Sequence, residues 1–367
     1  MGYIKRRNGH WQAAIRGSDG RERTKTFGRK VDAQAWIDTN EGDRRRGHWI
    51  DPALGRITLR EYAEAWRAKQ VHAESTMAQV ETHLRRHVYP ALGDIPIAAL
   101  RPSDLQAWVK GRAAVLAPAT VEVVHAYLSA ILNAAVADGV IARNHASLLA
   151  LPRKANKQIL PPSTDQVLAL IATVPERYRG LVVFTAGTGL RQGEVFGVTV
   201  PRLDLLRRNV EVCQQVTLLA GSPPKLTPML KTDASYRTVP LPQVVVDAVA
   251  LHLATFGPGD EQVSFSSEDG TPIRRTRFSE RVWQPAARAA GLAPRTGMHA
   301  LRHYYASLLI DAGESVKVVQ SRLGHKTAKE TLDTYGHLWP DSEDRTRLAV
   351  DAVLGPAGQS PGSAEIR

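Results

Sequence analysis

Three short segments near the end of the chain carry side chains suited to one reaction. They are His299-Ala-Leu-Arg302-His303, Leu323-Gly-His325 and a lone Tyr335. Far upstream, Thr188-Gly-Leu-Arg191-Gln-Gly-Glu194 adds a second arginine, and Lys225 and Lys231 lie between. Attack on a phosphodiester by a side-chain oxygen has four needs. The nonbridging oxygens must be neutralised, the nucleophile must lose its proton, the leaving 5′ oxygen must gain one, and the approach must be in line. Arginine forks meet the first need, so Arg191 and Arg302 read as a clamp on charge developing in the transition state. His299 stands three residues before Arg302, on the same face of a helical turn, and reads as general base or proton shuttle. His325 reads as a hydrogen-bond partner of a phosphate oxygen, and Lys231 as the acid at the leaving group. Tyr335 reads as the nucleophile that becomes esterified. A phenol, with a pKa of about 10, attacks poorly unless cations surround it.

Each residue has a plainer alternative. Arg191 and Glu194 are spaced for a simple i,i+3 ion pair. His299 and His303 are spaced i,i+4, as in half a metal site, but no acidic third ligand stands at a matching position. Lys225 competes with Lys231 for the acid role. Tyr304 and Tyr305 rival Tyr335, though both fall inside the apolar helix that begins near Arg302. Taken together and in this order, the residues form a specific set, with Glu194 and His303 in support.

The substrate class follows from charge. The 367 residues carry 48 Lys and Arg against 36 Asp and Glu, a formal net charge of +12. That surplus favours a polyanionic partner, with nucleic acid first. Residues 1–50 hold twelve basic residues against six acids, half of the surplus. The single cysteine, Cys213, excludes an intramolecular disulfide and fits a reducing, cytoplasmic setting. It lies in the apolar run 210–216 and reads as a packed strand residue. No apolar run reaches the roughly 18 residues that span a bilayer, and the N-terminus has no signal-peptide core.

The elements that must position these groups can be read from periodicity. Tyr3–Arg6, Trp11–Arg16 and Glu22–Phe27 predict three strands, joined by turns at Asn8-Gly9 and Asp19-Gly20. A short helix follows, with Ala33, Trp36 and Ile37 inward. Thr58-Leu-Arg-Glu61 is a capping box that opens the first of four helices between 57 and 150. The second starts after Ser75, the third at Pro102-Ser103, and the fourth at Pro118, ending at Gly139. A basic, proline-bounded linker at 152–162 precedes a mainly α region with a small β insert. Its helices are predicted at 165–171, 179–185, 243–253, 277–290, 299–312 and 315–323, with strands at 210–218 and 236–240. Residues 342–354 read as an amphipathic helix, and the final segment as disordered. The chain is thus multidomain and mainly α with small β elements.

The motif set resembles the tyrosine recombinases, the phage-integrase group. The matching segments are Thr188 to Glu194, Lys231-Thr-Asp-Ala-Ser-Tyr-Arg-Thr-Val-Pro, His299 to His303, Leu323-Gly-His325 and Thr334-Tyr335-Gly-His337. The resemblance implies a tyrosine recombinase catalytic domain at 160–345, a core-binding helical domain at 57–152 and an arm-site DNA-binding domain at 1–50, with a tail at 346–367. It implies a C-shaped clamp on duplex DNA, four protomers around two sites, a 3′-phosphotyrosine and a Holliday junction. Neither a metal nor another cofactor is expected. Lys5, Arg6, Arg7, Arg16, Arg21, Arg23 and Lys25 become arm-site contacts on a ribbon that could enter a groove. The tail is expected to dock on a neighbouring protomer. A host DNA-bending protein and a directionality factor are further expected partners. Two other readings stand beside the integrase: a catalytically silent DNA-binding regulator and a type IB topoisomerase-like relaxing enzyme.

Overall fold

The computed structural model describes residues 2–16, 20, 22–45, 54–154, 158–218, 221–230, 232–339, 346–348 and 350–351. Lys231, Arg21, the Asp19 half of the second turn, residues 46–53 and most of the tail lie outside the described residues, as do 155–157 of the linker. The chain divides into two units, Met1–Asn156 and Lys157–Arg367.

The first unit opens with an antiparallel sheet of β1 (Tyr3–Arg7), β2 (His10–Arg16) and β3 (Glu22–Phe27), in that order. Asn8 and Gly9 both take positive φ, 48° and 79°, as a two-residue hairpin turn of this hand requires. Helix α1 (Lys30–Arg45) covers one face, where Ala13, Ile15, Ala33 and Ile37 are buried. Strand alternation divides the basic residues. Arg6, Arg23 and Lys25 pair with Trp11, Ile15 and Ala13 and so share the face towards α1. There Arg6 lies over the Trp11 ring and Lys25 over the Phe27 ring. Lys5, Arg7 and Arg16 lie on the opposite face. The six described arm-contact candidates therefore do not form one surface, because residues of opposite parity cannot.

The rest of this unit is helical. Thr58 and Glu61 form the expected capping box of α2 (Leu59–Ala68). The second helix begins at Glu74, one residue before Ser75: α3 (Glu74–His83) runs through a π turn (Leu84–Val88) into α4 (Tyr89–Leu92). Pro90 accounts for the π turn: it has no N–H to donate, and its ring crowds the preceding turn. Then come α5 (Pro102–Ala113) and α6 (Pro118–Ala137). Leu59, Val80, Leu84, Val88, Leu105 and Leu128 meet in the core. Trp108 is buried and donates to the His87 carbonyl at 2.7 Å, which makes it a core residue. By length and composition α6 could cross a membrane, contrary to the sequence expectation. Its Val121, Val124, Leu128, Ile131 and Leu132 are instead packed inside the helical core.

In the second unit, α7 (Thr164–Thr173), α8 (Glu176–Thr188) and α9 (Gln192–Phe196) precede β4 (Leu203–Asp204), β5 (Asn209–Val212), β6 (Gln215–Thr217), β7 (Lys225–Thr227) and β8 (Arg237–Pro240). Strands β4, β5 and β8 form one antiparallel sheet and β6–β7 a separate hairpin. The strand expected over 210–218 is thus interrupted at Cys213 and Gln214. Gln214 Nε2 turns aside to donate to the Gly197 carbonyl at 2.8 Å and to Thr199 Oγ1 at 3.0 Å. Cys213 sits half-buried in that break and not in a strand. Helix α10 (Gln243–Phe256) packs closely on α8. A Cβ at Gly187 would lie 2.3 Å from the Val245 side chain.

The run expected as one helix over 277–290 comprises α11 (Arg275–Phe278), a π turn (Ser279–Trp283) and α12 (Gln284–Ala289). Pro285 breaks the regular ladder as Pro90 does. The unit continues with α13 (His299–Asp311), α14 (Val316–Leu323) and α15 (Ala328–Tyr335). Tyr305, Ala306, Ile310, Val319, Leu323 and Tyr335 form a distinct apolar cluster. Residues 346–348, 350 and 351 are helical, and the remainder of the helix expected at 342–354 lies outside the described residues.

Gly189 ends α8 in the left-handed conformation, with φ 62°. A Cβ there would lie 2.4 Å from the Tyr305 ring. Gly189→Ala is expected to cost about 2–4 kcal/mol, combining left-handed strain with overpacking. Chemical denaturation would read this directly, and a loss below about 1 kcal/mol would contradict the packing.

Candidate active site

Two left-handed glycines deliver the site residues from helix ends. Gly189 turns the chain out of α8, so that Arg191 leaves the helix axis and opens α9. Gly324, with φ 66°, does the same at the end of α14 and releases His325. Helix α13 contributes His299, Arg302 and His303 from its first turns, and Tyr335 closes α15. The structure therefore brings together Arg191, Glu194, His299, Arg302, His303, His325 and Tyr335. Lys225 is exposed at the start of β7.

Arg302 is 1% exposed. Its Nη1 donates to the Gly189 carbonyl and its Nη2 to the Leu323 carbonyl, both at 2.8 Å. Burial, and then the neighbouring Arg191, push its pKa down to about 9, which still leaves it charged at neutral pH. Arg191 donates from Nη1 to Glu194 at 3.0 Å and from Nη2 to the Gly324 carbonyl at 3.1 Å. The i,i+3 ion pair is thus present and forms part of the site. Burial would raise the Glu194 carboxyl, but the Arg237 and Arg191 guanidiniums outweigh it and hold it below the usual range.

The phenol departs from the sequence expectation. Tyr335 is 1% exposed, and burial pushes its pKa up to about 12 against the pull of Arg302 and Arg191. Its hydroxyl meets His303 Nδ1 at 2.9 Å. The base expected at His299 is therefore one helical turn away from the contact that forms. His299 is exposed, its ring edge-on to His303 with 4.7 Å between centroids. His325 is buried beside the phenol with its ring nearly parallel, and its Nδ1 meets Thr331 Oγ1 at 2.8 Å. Tyr304 and Tyr305 are buried in α13, with the Tyr304 hydroxyl donating to Thr164. Among the described residues no group of three or more His, Cys, Asp or Glu is placed to hold a metal.

Desolvation first, and the Arg302 guanidinium second, push His303 down to about 4 and His325 to about 3. A neutral His303 can accept a hydrogen bond from the phenol through Nδ1. The sign for stability follows from linkage. The unfolded histidines take up protons near 6.5 while the folded ones stay neutral, so stability falls as pH drops below 6.5 and keeps falling towards 4. Between pH 6.5 and 5, above the carboxylate range, the thermal midpoint is expected to decline. A flat midpoint there would contradict the burial of these rings.

Arg237 was not singled out by the sequence, although it stands inside the segment from Lys231 to Pro240. It donates from Nη2 to Glu194 at 2.9 Å. A basic residue on the strand after the lysine loop was the available signal, but its partner lies 43 residues away.

A model of the phage integrase family matches residues 163–341, and one of the phage integrase central domain matches 58–151. A prophage phiRv2 integrase of Mycobacterium tuberculosis is 29% identical over 345 residues, covering 90% of each chain. The Tn1549 transposon integrase in complex with a circular intermediate DNA superposes with a TM-score of 0.70 at 21% identity, over 81% of this chain and 100% of that one. A lambda integrase tetramer bound to a Holliday junction superposes with a TM-score of 0.59 at 19% identity, over 90% and 94%. The chain belongs to the phage integrase family and is a tyrosine recombinase.

Proposed function

We propose that the protein is a site-specific integrase that cuts and rejoins duplex DNA through Tyr335. The Tyr335 oxygen forms a bond to the scissile phosphorus as the bond to the 5′ oxygen breaks. The result is a 3′-phosphotyrosine and a free 5′ hydroxyl. The phenolic proton passes to His303 Nδ1, and the leaving oxygen takes a proton from Lys231. Arg191 and Arg302 neutralise the nonbridging oxygens, with His325 as a further partner of the phosphate. Attack by the 5′ hydroxyl of another strand reverses the chemistry, because the phosphotyrosine is itself a phosphodiester.

The observation that carries this reading is the 2.9 Å contact between the Tyr335 hydroxyl and His303, with Arg302 buried behind it. The lambda integrase relative, solved as a tetramer on a Holliday junction, supports four protomers acting together. The ribbon face bearing Lys5, Arg7 and Arg16 is the part suited to accessory arm DNA. Holding arm and core sites on one protomer bends the intervening DNA, at about 1–6 kcal/mol for 40–90°. A host DNA-bending protein would offset that cost.

The test is to incubate the protein with the DNA that flanks its own coding gene and to map detergent-resistant adducts. A defined pair of cleavage sites, each with protein on a 3′ phosphate, is expected. Relaxation of supercoils without defined sites would favour the topoisomerase reading, and DNA binding without adducts would favour the silent regulator.

A further inference from the structure

Three consecutive carbonyls at the end of α14 each accept from a different arginine. Arg237 Nε reaches the Arg322 carbonyl at 2.9 Å, Arg302 Nη2 the Leu323 carbonyl at 2.8 Å, and Arg191 Nη2 the Gly324 carbonyl at 3.1 Å. The last carbonyls of a helix lack partners within it and carry the negative end of its dipole. Here that end is tied to the two arginines of the phosphate clamp and to a third that the chemistry does not use.

The third arginine is committed elsewhere. The Arg237 side chain is only 7% exposed. Besides the Arg322 carbonyl it serves Ser235 O at 2.8 Å and Glu194, at 2.9 Å from Nη2 and 3.4 Å from Nη1. Four of its five N–H groups are thereby in use within the protein. Glu194 in turn holds Arg191 through the backbone N–H at 2.9 Å and Nη1 at 3.0 Å. Arg237 thus grips both supports of Arg191, its carboxylate partner and the helix end. Gly324 admits this approach, since a Cβ there would lie 2.9 Å from Arg237 Nη1.

We propose that Arg237 is a positioning residue for strand cleavage, acting through Glu194 and the end of α14 to set Arg191 and His325 against the phosphate. The proposal rests on the reading of Arg191 as a clamp on the nonbridging oxygens. A misplacement of about 1 Å costs up to about a hundredfold in rate, and Lys cannot replace the forked guanidinium that spans two partners.

The experiment compares single-turnover cleavage of two nicked suicide substrates. One carries the ordinary scissile phosphodiester, the other a neutral methylphosphonate at that position. The methylphosphonate carries no nonbridging charge, so it depends less on where Arg191 sits. Arg237→Gln is expected to slow the phosphodiester about a hundredfold and the methylphosphonate severalfold less than that. Equal slowing of both would overturn the proposal, because general loosening of the fold does not distinguish the substrates. Core-site binding and thermal unfolding are followed in parallel. If Arg237→Gln does not fold, the double variant Glu194→Gln/Arg237→Gln removes both buried charges together and must show the same selective loss. Equal slowing there overturns the proposal too. Failure of the underlying reading shows separately: the unaltered protein would form no adduct, or Tyr335→Phe would leave the adduct intact.

Discussion

Tyr335→Phe is expected to abolish the covalent protein–DNA adduct while leaving core-site binding in place. The change deletes one oxygen. The ring keeps its place among Tyr305, Ala306, Ile310, Val319 and Leu323. His303 loses the partner at 2.9 Å, but it is only half-buried, so water can replace the hydroxyl. The stability cost is about 1 kcal/mol, the low end for an unsatisfied polar group. The neighbouring tyrosines are engaged elsewhere: the Tyr304 hydroxyl donates to Thr164, and the Tyr305 ring packs against Gly189. Trapping on a nicked suicide substrate gives the answer. An adduct at the normal level would remove Tyr335 from the chemistry.

Arg191→Ala is expected to slow cleavage by about a hundred- to a thousandfold, the usual loss on removing one donor to transition-state charge. The fold should tolerate the change better than a substitution at Arg302. The Arg191 side chain is 36% exposed, and Glu194 keeps its ion pair with Arg237 at 2.9 Å. The main structural loss is the partner of the buried Gly324 carbonyl, worth about 1–3 kcal/mol. Single-turnover rates and denaturation curves on the same preparation separate the two effects. A rate within about threefold of the parent would mean that Arg191 does not touch developing charge.

The elements legible in the sequence were those set by local chemistry. Alternation marked the three strands, and the Thr58–Glu61 pair marked the start of α2. The motif spacing also picked out the residues that converge, because each stands beside a helix end. The identity of the histidine that meets the phenol was not legible. His299 and His303 share a helical face, and the choice between them depends on where α15 docks against α13. Arg237 was hidden for the same reason, since its partners at 194 and 322 are brought near only by the tertiary fold. The π turns at Leu84–Val88 and Ser279–Trp283 were readable in principle from Pro90 and Pro285, whose positions forbid an unbroken ladder.

The burial of Tyr335 has a consequence for fidelity. A chromosome offers millions of phosphates, each a potential victim of an exposed, ionised phenol. In this arrangement only 1% of Tyr335 is exposed, which shields it from a phosphate that drifts past. Cleavage at a bound site is expected to draw on part of the energy of DNA binding to bring phenol and phosphate into reach. A duplex that engages too few contacts can be held and released uncut, so selectivity extends beyond affinity into the act of breaking the strand.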